Sequence, residues 1–260
     1  MRIYTYYEPL QSNFSYQEAL ISLWSKTWVN NKWEVFVLNQ KHAECHPFYS
    51  EYTESMTKLC YEITGKPILA YGMSCWNRWL AYATQTQNNV DENGYERPFF
   101  VCDYDLINNG FLPEAPLKDK IHFMDDLCPC LVSGKPSDFY NLAKFFLNIT
   151  RLRIDKLKNN IFLAKEGVKS KCYHDQDLLI NNLLPRHCSY AAEIKKEHGI
   201  VTSVNKKRVG APFVYGSEKQ CEAIHFSKNN SLQIKHSVNK FKDQDPNLIR
   251  INLIKDFFDF

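Results

Sequence analysis

The sequence predicts an α/β fold in which a central, mainly parallel mixed sheet is flanked by helices. Along the first part of the chain, short runs rich in β-branched and aromatic residues alternate with segments whose apolar residues recur at helical spacing. The resulting order, β-α-β-α-β-α-β, is typical of a parallel sheet covered on both faces. At 260 residues the chain is long enough for one such domain without disulfide support.

The first β-α-β unit is predicted over residues 2–38. A strand covers residues 2–7, and the helix after it begins at Ser15, which has the capping-box spacing to Glu18. Residues 34–38 form the second strand. On the intervening helix, the face expected to be buried carries apolar residues at four-residue intervals: Leu20, Trp24 and Trp28.

Two more helices and a third strand are predicted before the fourth strand. Helical spacing between residues 56 and 63 ends at Gly65 and Pro67, and residues 68–71 form the third strand. The polar segment 85–97 then leads to the fourth strand. The helix before that segment has an apolar stripe that we expect to pack in the core: Trp76, Trp79, Leu80 and Ala83.

The fourth strand ends in two carboxylates, Asp103 and Asp105, separated by Tyr104. If extended geometry continues, both carboxylates lie on one face and Tyr104 on the other. Mg²⁺ and Mn²⁺ take oxygen ligands and keep positions open for substrate phosphates, so the pair predicts a cation that binds a diphosphate. The alternative is that these aspartates only cap a turn.

Two further polar clusters follow in the second half of the chain. Strands are predicted at 121–124 and 131–132, and a helix from Ser137. Residues 174–177 open an apolar helical turn, where a carboxylate could act as general base towards an acceptor hydroxyl. Residues 221–228 form a short strand that offers His225 and Lys228 at its end, an imidazole for a metal and an ammonium for phosphate.

In this order, the three clusters resemble the layout of a GT-A glycosyltransferase, a Rossmann-like fold with an Asp-x-Asp motif after a central strand. The segment Asp175-Gln176-Asp177-Leu178-Leu179 is similar to the helix start of the glycogenin-like and lipopolysaccharide-galactosyltransferase-like retaining enzymes. His225-Phe226 matches their late His-Phe. Those enzymes continue with Lys-Pro-Trp, whereas this chain continues with Ser227-Lys228, so that only Lys228 is carried over.

The resemblance implies a transferase that moves a sugar from a UDP- or GDP-sugar, with UDP favoured, to a carbohydrate or glycoprotein acceptor. Mn²⁺ or Mg²⁺ would be held by metal ligands at three positions: Asp103, Asp105 and His225. Donor binding would fall to residues near the metal and at the end of the first strand: Tyr6, Tyr7, Arg78, Tyr104 and Lys228. Catalytic or sugar-contacting roles would fall to the acidic turn: Asp175, Gln176 and Asp177.

Several alternatives stay open at the level of sequence. If the acceptor oxygen lies opposite the leaving phosphate, Asp175 or Asp177 acts as a base and the enzyme inverts the configuration at the anomeric carbon. The motif similarity instead favours an enzyme that retains this configuration. A haloacid-dehalogenase-type phosphatase also has Asp-x-Asp after an apolar strand, but Leu106 stands where that group usually has glycine. The non-enzymatic alternative is a relative that binds a nucleotide sugar with metal and has lost turnover.

Composition gives weaker indications about the environment of the chain. A net charge of +3 gives no reason to expect nucleic acid as a partner, and nine scattered cysteines indicate reduced thiols. No run approaches the ~20 apolar residues of a membrane span, and the N-terminus does not resemble a signal peptide. We therefore expect one cytoplasmic catalytic domain over 1–260, with a nucleotide-sugar half at 1–107 and an acceptor half at 108–260.

Overall fold

The structure, a computed structural model, describes residues 1–9, 14–113, 120–124, 130–152, 154–155, 201–202 and 208–260. These residues form two β-sheets with helices packed around them. The strands are β1 Arg2–Tyr6, β2 Glu34–Leu38, β3 Phe99–Cys102, β4 Leu106–Asn108, β5 His122–Phe123, β6 Leu131–Gly134, β7 Val201–Thr202, β8 Val209–Pro212 and β9 Ala223–His225. The α-helices are α1 Phe14–Asn30, α2 Gln40–Glu44, α3 Tyr49–Thr64, α4 Ala70–Ala83, α5 Pro136–Leu152, α6 Lys228–Ser237 and α7 Pro246–Phe258.

The larger sheet has the strand order β2-β1-β3-β6-β5-β7 and is mixed. Strand β1 lies parallel to both β2 and β3, whereas β6 runs antiparallel to β3 and to β5. Thr5 of β1 faces Cys102 of β3, so these two strands end at the same edge of the sheet. The prediction of an α/β protein with a mixed sheet flanked by helices is confirmed. The carboxyl edge of the parallel strands is where ligands bind in such sheets.

Two apolar clusters cover the two faces of this sheet. Alternate residues of a strand point to opposite faces, and accordingly Tyr4 and Phe99 belong to one cluster while Ile3 and Phe100 belong to the other. Buried side chains of α3, α4 and α5 complete the first cluster. The second cluster contains the buried residues of α1, of the smaller sheet and of α7. The sheet is therefore the middle of three layers.

The predicted third strand at 68–71 is wrong. Helix α3 ends at Gly65, which adopts φ 68° as a left-handed C-cap, and α4 already begins at Ala70. Leu69 is extended but 64 % exposed, and of this short apolar run only Ile68 packs, partly buried, against the core. The helix that contains Trp76 and Trp79 extends back to Ala70, which leaves too few residues for a strand. Strand β3 therefore follows three consecutive helices and lies directly beside β1.

The smaller sheet was not foreseen from the sequence. It has the order β4-β9-β8, with β9 antiparallel to β4 and parallel to β8. Strand β4 follows β3 after only three residues, which carries the chain from the larger sheet directly into the smaller one. In the antiparallel pair, Leu106 of β4 faces His225 of β9. This register brings the end of β9 to the end of β3.

Two expectations from composition concern thiols and membrane spans. None of the six cysteines in the described residues forms a disulfide, and four of them are buried. The expectation of reduced thiols holds for these six. In the same part of the chain, no helix combines the length and the apolar character needed to cross a bilayer.

Candidate metal centre

Asp103, Tyr104 and Asp105 form a tight turn rather than an extension of β3. The amide of Leu106 donates a hydrogen bond to the carbonyl of Asp103 at 3.0 Å, which closes the turn. The amide of Asp103 itself donates to the carbonyl of Cys130 at 3.1 Å and so stays attached to the larger sheet. The two carboxylates are therefore brought together by chain reversal and not by the alternation of a strand. They lie at the carboxyl edge of β1 and β3.

His225 reaches this turn because of the pairing between β4 and β9. Beyond the Leu106–His225 pair, the amide of Phe226 donates to the carbonyl of Asp105 at 2.9 Å and extends the ladder by one step. The imidazole Nε2 of His225 then lies 3.3 Å from Oδ1 of Asp105. Both side chains are mostly buried, with 17 % and 16 % of their surface exposed. The antiparallel register thus fixes an imidazole beside a carboxylate.

Three side chains offer ligand atoms close enough for one cation. The ligand atoms of Asp103, Asp105 and His225 all lie within 4.8 Å of one another. Around an octahedral ion with bonds of ~2.1 Å, neighbouring ligands are about 3 Å apart and opposite ligands about 4.2 Å. Two carboxylate oxygens and one imidazole nitrogen fit a divalent ion such as Mn²⁺ or Mg²⁺, and such a set leaves positions open for a substrate.

Each carboxylate is also paired with an arginine. Nη1 of Arg78, on α4, lies 2.6 Å from Oδ1 of Asp103, and Nη1 of Arg250, on α7, lies 3.2 Å from Oδ2 of Asp105. The guanidinium group keeps its proton under all ordinary conditions. The charges of the two carboxylates and the two guanidinium groups therefore cancel. The predicted donor residue Arg78 does lie at the centre, in contact with a predicted metal ligand.

Arg250 is the residue that the sequence interpretation missed. It is only 6 % exposed, and its guanidinium also donates to Oδ1 of Asn247 at 3.0 Å and to the carbonyl of Phe226 at 3.4 Å. One signal was present in the sequence, because Arg250 lies between Ile249 and Ile251 in a mainly apolar helix. Arginine is almost never fully buried unless it is paired, so this position indicates a buried acidic partner.

Asp105 is held in its charged form. Burial raises the pKa of its carboxyl, but the charge of His225, the hydrogen bond with it and the charge of Arg250 outweigh burial and lower that pKa below its ordinary value. The carboxylate is therefore ionised at neutral pH. An ionised carboxylate is the form that binds a cation.

The tyrosines at the ends of β1 and β3 divide into two groups. The ring centres of Tyr7 and Tyr104 lie 6.0 Å apart in an edge-to-face contact at the carboxyl edge. Burial, followed by the charge of Asp105, raises the pKa of Tyr104 to about 12, so its hydroxyl is neutral and can donate. Tyr6 instead belongs to the core and its hydroxyl donates to Glu8 at 3.3 Å. Of Tyr6, the last residue of β1, and Tyr7, the residue directly after it, Tyr7 is the one beside Tyr104.

Lys228 is the first residue of α6 and is exposed. Ser227 caps this helix, because its side chain accepts a hydrogen bond from the amide of Asn230 at 3.1 Å. Only two residues separate His225 from Lys228, so the positive end of the helix dipole follows directly after the imidazole. The predicted catalytic residues Asp175, Gln176 and Asp177 lie outside the described residues.

Comparison with known proteins identifies no relative of this chain. No family model, no curated protein and no solved structure matches the chain. The function must therefore be inferred from the chemistry of the residues around Asp103, Asp105 and His225.

Proposed function

We propose that this chain is a glycosyltransferase of the GT-A type that moves a sugar from a nucleotide-sugar donor, UDP-linked by preference, to a carbohydrate or glycoprotein acceptor. The observation that carries the proposal is the group formed by Asp103, Asp105 and His225 at the carboxyl edge of β1 and β3. Two carboxylates and an imidazole from distant parts of the chain meet where an α/β sheet binds ligands.

The three ligands would hold Mn²⁺ or Mg²⁺ on the diphosphate of the donor. When bound, such an ion neutralises negative charge that develops on the leaving nucleoside diphosphate. Arg78 and Lys228 would share the remaining phosphate charge, Arg78 from beside Asp103 and Lys228 from the start of α6. Cations placed in advance where charge develops are an effective way to lower the barrier of such a transfer.

The tyrosines at the same edge suit the nucleoside part of the donor. Tyr7 and Tyr104 already contact each other edge to face, and an aromatic base could stack on either ring. The neutral hydroxyl of Tyr104 would supply a hydrogen-bond donor. Tyr6 lies in the core and would contribute only by packing beneath this edge of the sheet, without contacting the donor.

The acidic turn that contains Asp175, Gln176 and Asp177 would face the donor sugar or the acceptor. If the acceptor oxygen attacks from the side opposite the phosphate, Asp175 or Asp177 would take its proton and the configuration would invert. If acceptor and phosphate share a face, the phosphate itself would take the proton, with Asp175 or Gln176 stabilising the positive charge on the sugar. The motif similarity favours this second, retaining course.

A donor screen tests the proposal. The purified chain is incubated with UDP- and GDP-sugars and Mn²⁺, and the release of nucleoside diphosphate is followed with and without candidate acceptors. We expect one donor to be consumed in a cation-dependent reaction. Cation-dependent binding of every donor without consumption would replace the enzyme by a nucleotide-sugar-binding protein. Hydrolysis of p-nitrophenyl phosphate in the absence of any donor consumption would favour the phosphatase.

Variants of the ligands need controls with the same chemical change elsewhere. Asp103→Asn is preferable to a replacement of Asp105. Replacing Asp105 would leave the buried guanidinium of Arg250 without its counter-charge, whereas Asp103 and its partner Arg78 are both more exposed than Arg250. Asp256→Asn on α7, whose side chain is 66 % exposed, is the matched control. Donor consumption should fall at least ~10-fold in Asp103→Asn, since changing even the groups that support metal ligands typically costs that much metal affinity or activity. In Asp256→Asn it should stay unchanged.

A further inference from the structure

The candidate metal centre already contains its own positive charges. Asp103 is paired with Arg78 and Asp105 with Arg250, so that two guanidinium groups balance two carboxylates. A divalent cation that entered this group alone would leave an excess charge of two. The side chains involved are mostly buried, where water screens such an excess poorly.

Arg250 cannot move away to relieve that excess. Its side chain is 7 % exposed and is fixed by three acceptors on separate elements: Asp105, Phe226 and Asn247. Arg250 therefore stays beside Asp105 whether or not a cation is bound.

The two oxygens of Asp105 have different neighbours. Oδ2 contacts Arg250, and Oδ1 contacts His225, the other predicted ligand from β9. Arg250 thus orients the carboxylate so that Oδ1 stays directed at the imidazole. The same contact that keeps the ligand set assembled also lowers its attraction for a cation.

We propose that Arg250 is a positioning residue that makes cation binding at Asp103, Asp105 and His225 depend on an anionic co-ligand of the diphosphate type. A diphosphate brings the negative charge that the arginines and the cation together require. The two ligands then bind cooperatively, and by linkage each raises the affinity for the other by the same factor. The inference rests on the proposed function only for the identity of the anion as the diphosphate of a sugar donor. The charge balance itself requires only a diphosphate.

The test measures Mn²⁺ binding by electron paramagnetic resonance of the free ion, with and without inorganic pyrophosphate. Formation of the Mn²⁺–pyrophosphate complex is measured in protein-free solution and subtracted. We expect pyrophosphate to raise the affinity of the wild-type protein for Mn²⁺ by ~10-fold or more, within the usual range of coupling between sites. Equal affinity with and without pyrophosphate would overturn the proposal.

Three variants separate charge from structure. Arg250→Gln should bind Mn²⁺ alone ~10-fold more tightly than the wild type and lose most of the coupling, because one resident charge is gone. Arg250→Lys keeps the charge and should keep the coupling. Arg208→Gln removes a guanidinium from the ion pair with Glu222, away from the centre, and should behave like the wild type. An Arg250→Gln protein with wild-type affinity and coupling would refute the role of Arg250.

Folding of Arg250→Gln supplies an independent readout. Its Asp105 carboxylate is left without the buried counter-charge, so Mn²⁺ should raise its melting temperature more than that of the wild type. No greater rise than in the wild type would contradict the proposal. If Mn²⁺ and pyrophosphate bind cooperatively but no sugar donor is consumed, the inference about Arg250 is supported and the proposal of a transferase is refuted.

Discussion

Nε2 of His225 lies 3.3 Å from Oδ1 of Asp105, and this contact follows from the backbone register that places His225 opposite Leu106. The turn after β3 presents the carboxylate, and the antiparallel partner β9 presents the imidazole. Since main-chain hydrogen bonds hold both segments, the geometry of the pair is set by the fold itself. Preformed ligands reduce the ordering that a cation would otherwise have to impose.

The pairing of Asp105 with Arg250 predicts a large effect of removing one partner alone. Arg250→Met should lower the free energy of unfolding by about 3–5 kcal/mol, because a buried carboxylate loses its counter-charge. The double variant Asp105→Leu/Arg250→Met should recover most of that loss. Urea unfolding curves for the two single variants and the double variant measure the coupling.

A surface ion pair provides the control for that cycle. Arg2 and Glu34 are 39 % and 56 % exposed, so Arg2→Met should cost no more than about 1 kcal/mol. A loss in Arg250→Met as small as in Arg2→Met would mean that the buried pair has little influence on folding.

The lowered pKa of Asp105 predicts how this contribution depends on pH. Its pKa in the folded state lies below the ordinary value of 3.8, so the folded carboxylate binds its proton less readily than the unfolded one. Stability from this group is therefore fully present above pH 3.8 and is lost as the pH falls through the folded value. The stability difference between the wild type and Asp105→Asn should shrink on acidification.

Urea unfolding at neutral pH and at a series of acidic values measures that difference. Asp256→Asn, at an exposed position, should follow the wild type throughout the series. A difference between wild type and Asp105→Asn that grows as the pH falls would show that the pKa of Asp105 is raised instead.

The contrast between Tyr7 and Tyr6 predicts where a nucleoside is contacted. Tyr7→Leu should weaken UDP binding by roughly 2- to 10-fold, the range expected for the loss of one aromatic contact. Tyr6→Phe should leave UDP binding unchanged, because the Tyr6 side chain belongs to the core and only its hydroxyl is removed. Titration calorimetry with UDP in the presence of Mn²⁺ measures both. The reverse pattern would move the nucleoside away from Tyr104.

The sequence predicted those parts of the structure that depend on periodicity and on strand ends. Trp24 and Trp28 were expected in the core from their spacing and are both fully buried. Their indole nitrogens also donate to Sγ of Cys102 and to the carbonyl of Leu106, at 3.2 and 3.0 Å. Spacing identifies the buried face of a helix but not the acceptors that it will meet.

Two features of the centre, the register between β4 and β9 and the position of Arg250, depend on tertiary structure and could not be predicted from the sequence. Strand β4 has three residues and leaves no periodic pattern, so the register that joins Asp105 to His225 could not be predicted. The position of Arg250 depends on how α7 packs against the turn, which is a property of the tertiary fold. By contrast, Asp103 and Asp105 were recognisable because an apolar strand ends directly before them.

The central claim is that Asp103, Asp105 and His225 hold a cation on a nucleoside diphosphate. Pulsed electron paramagnetic resonance of Mn²⁺ in the presence of the protein and UDP tests it directly, because couplings to ¹⁴N and ³¹P report ligands in the first coordination sphere. The account predicts both couplings in the wild type, loss of the ¹⁴N coupling in His225→Gln, and its retention in His236→Gln, an exposed histidine of α6. A ³¹P coupling without ¹⁴N, or a ¹⁴N coupling that survives in His225→Gln, would contradict it.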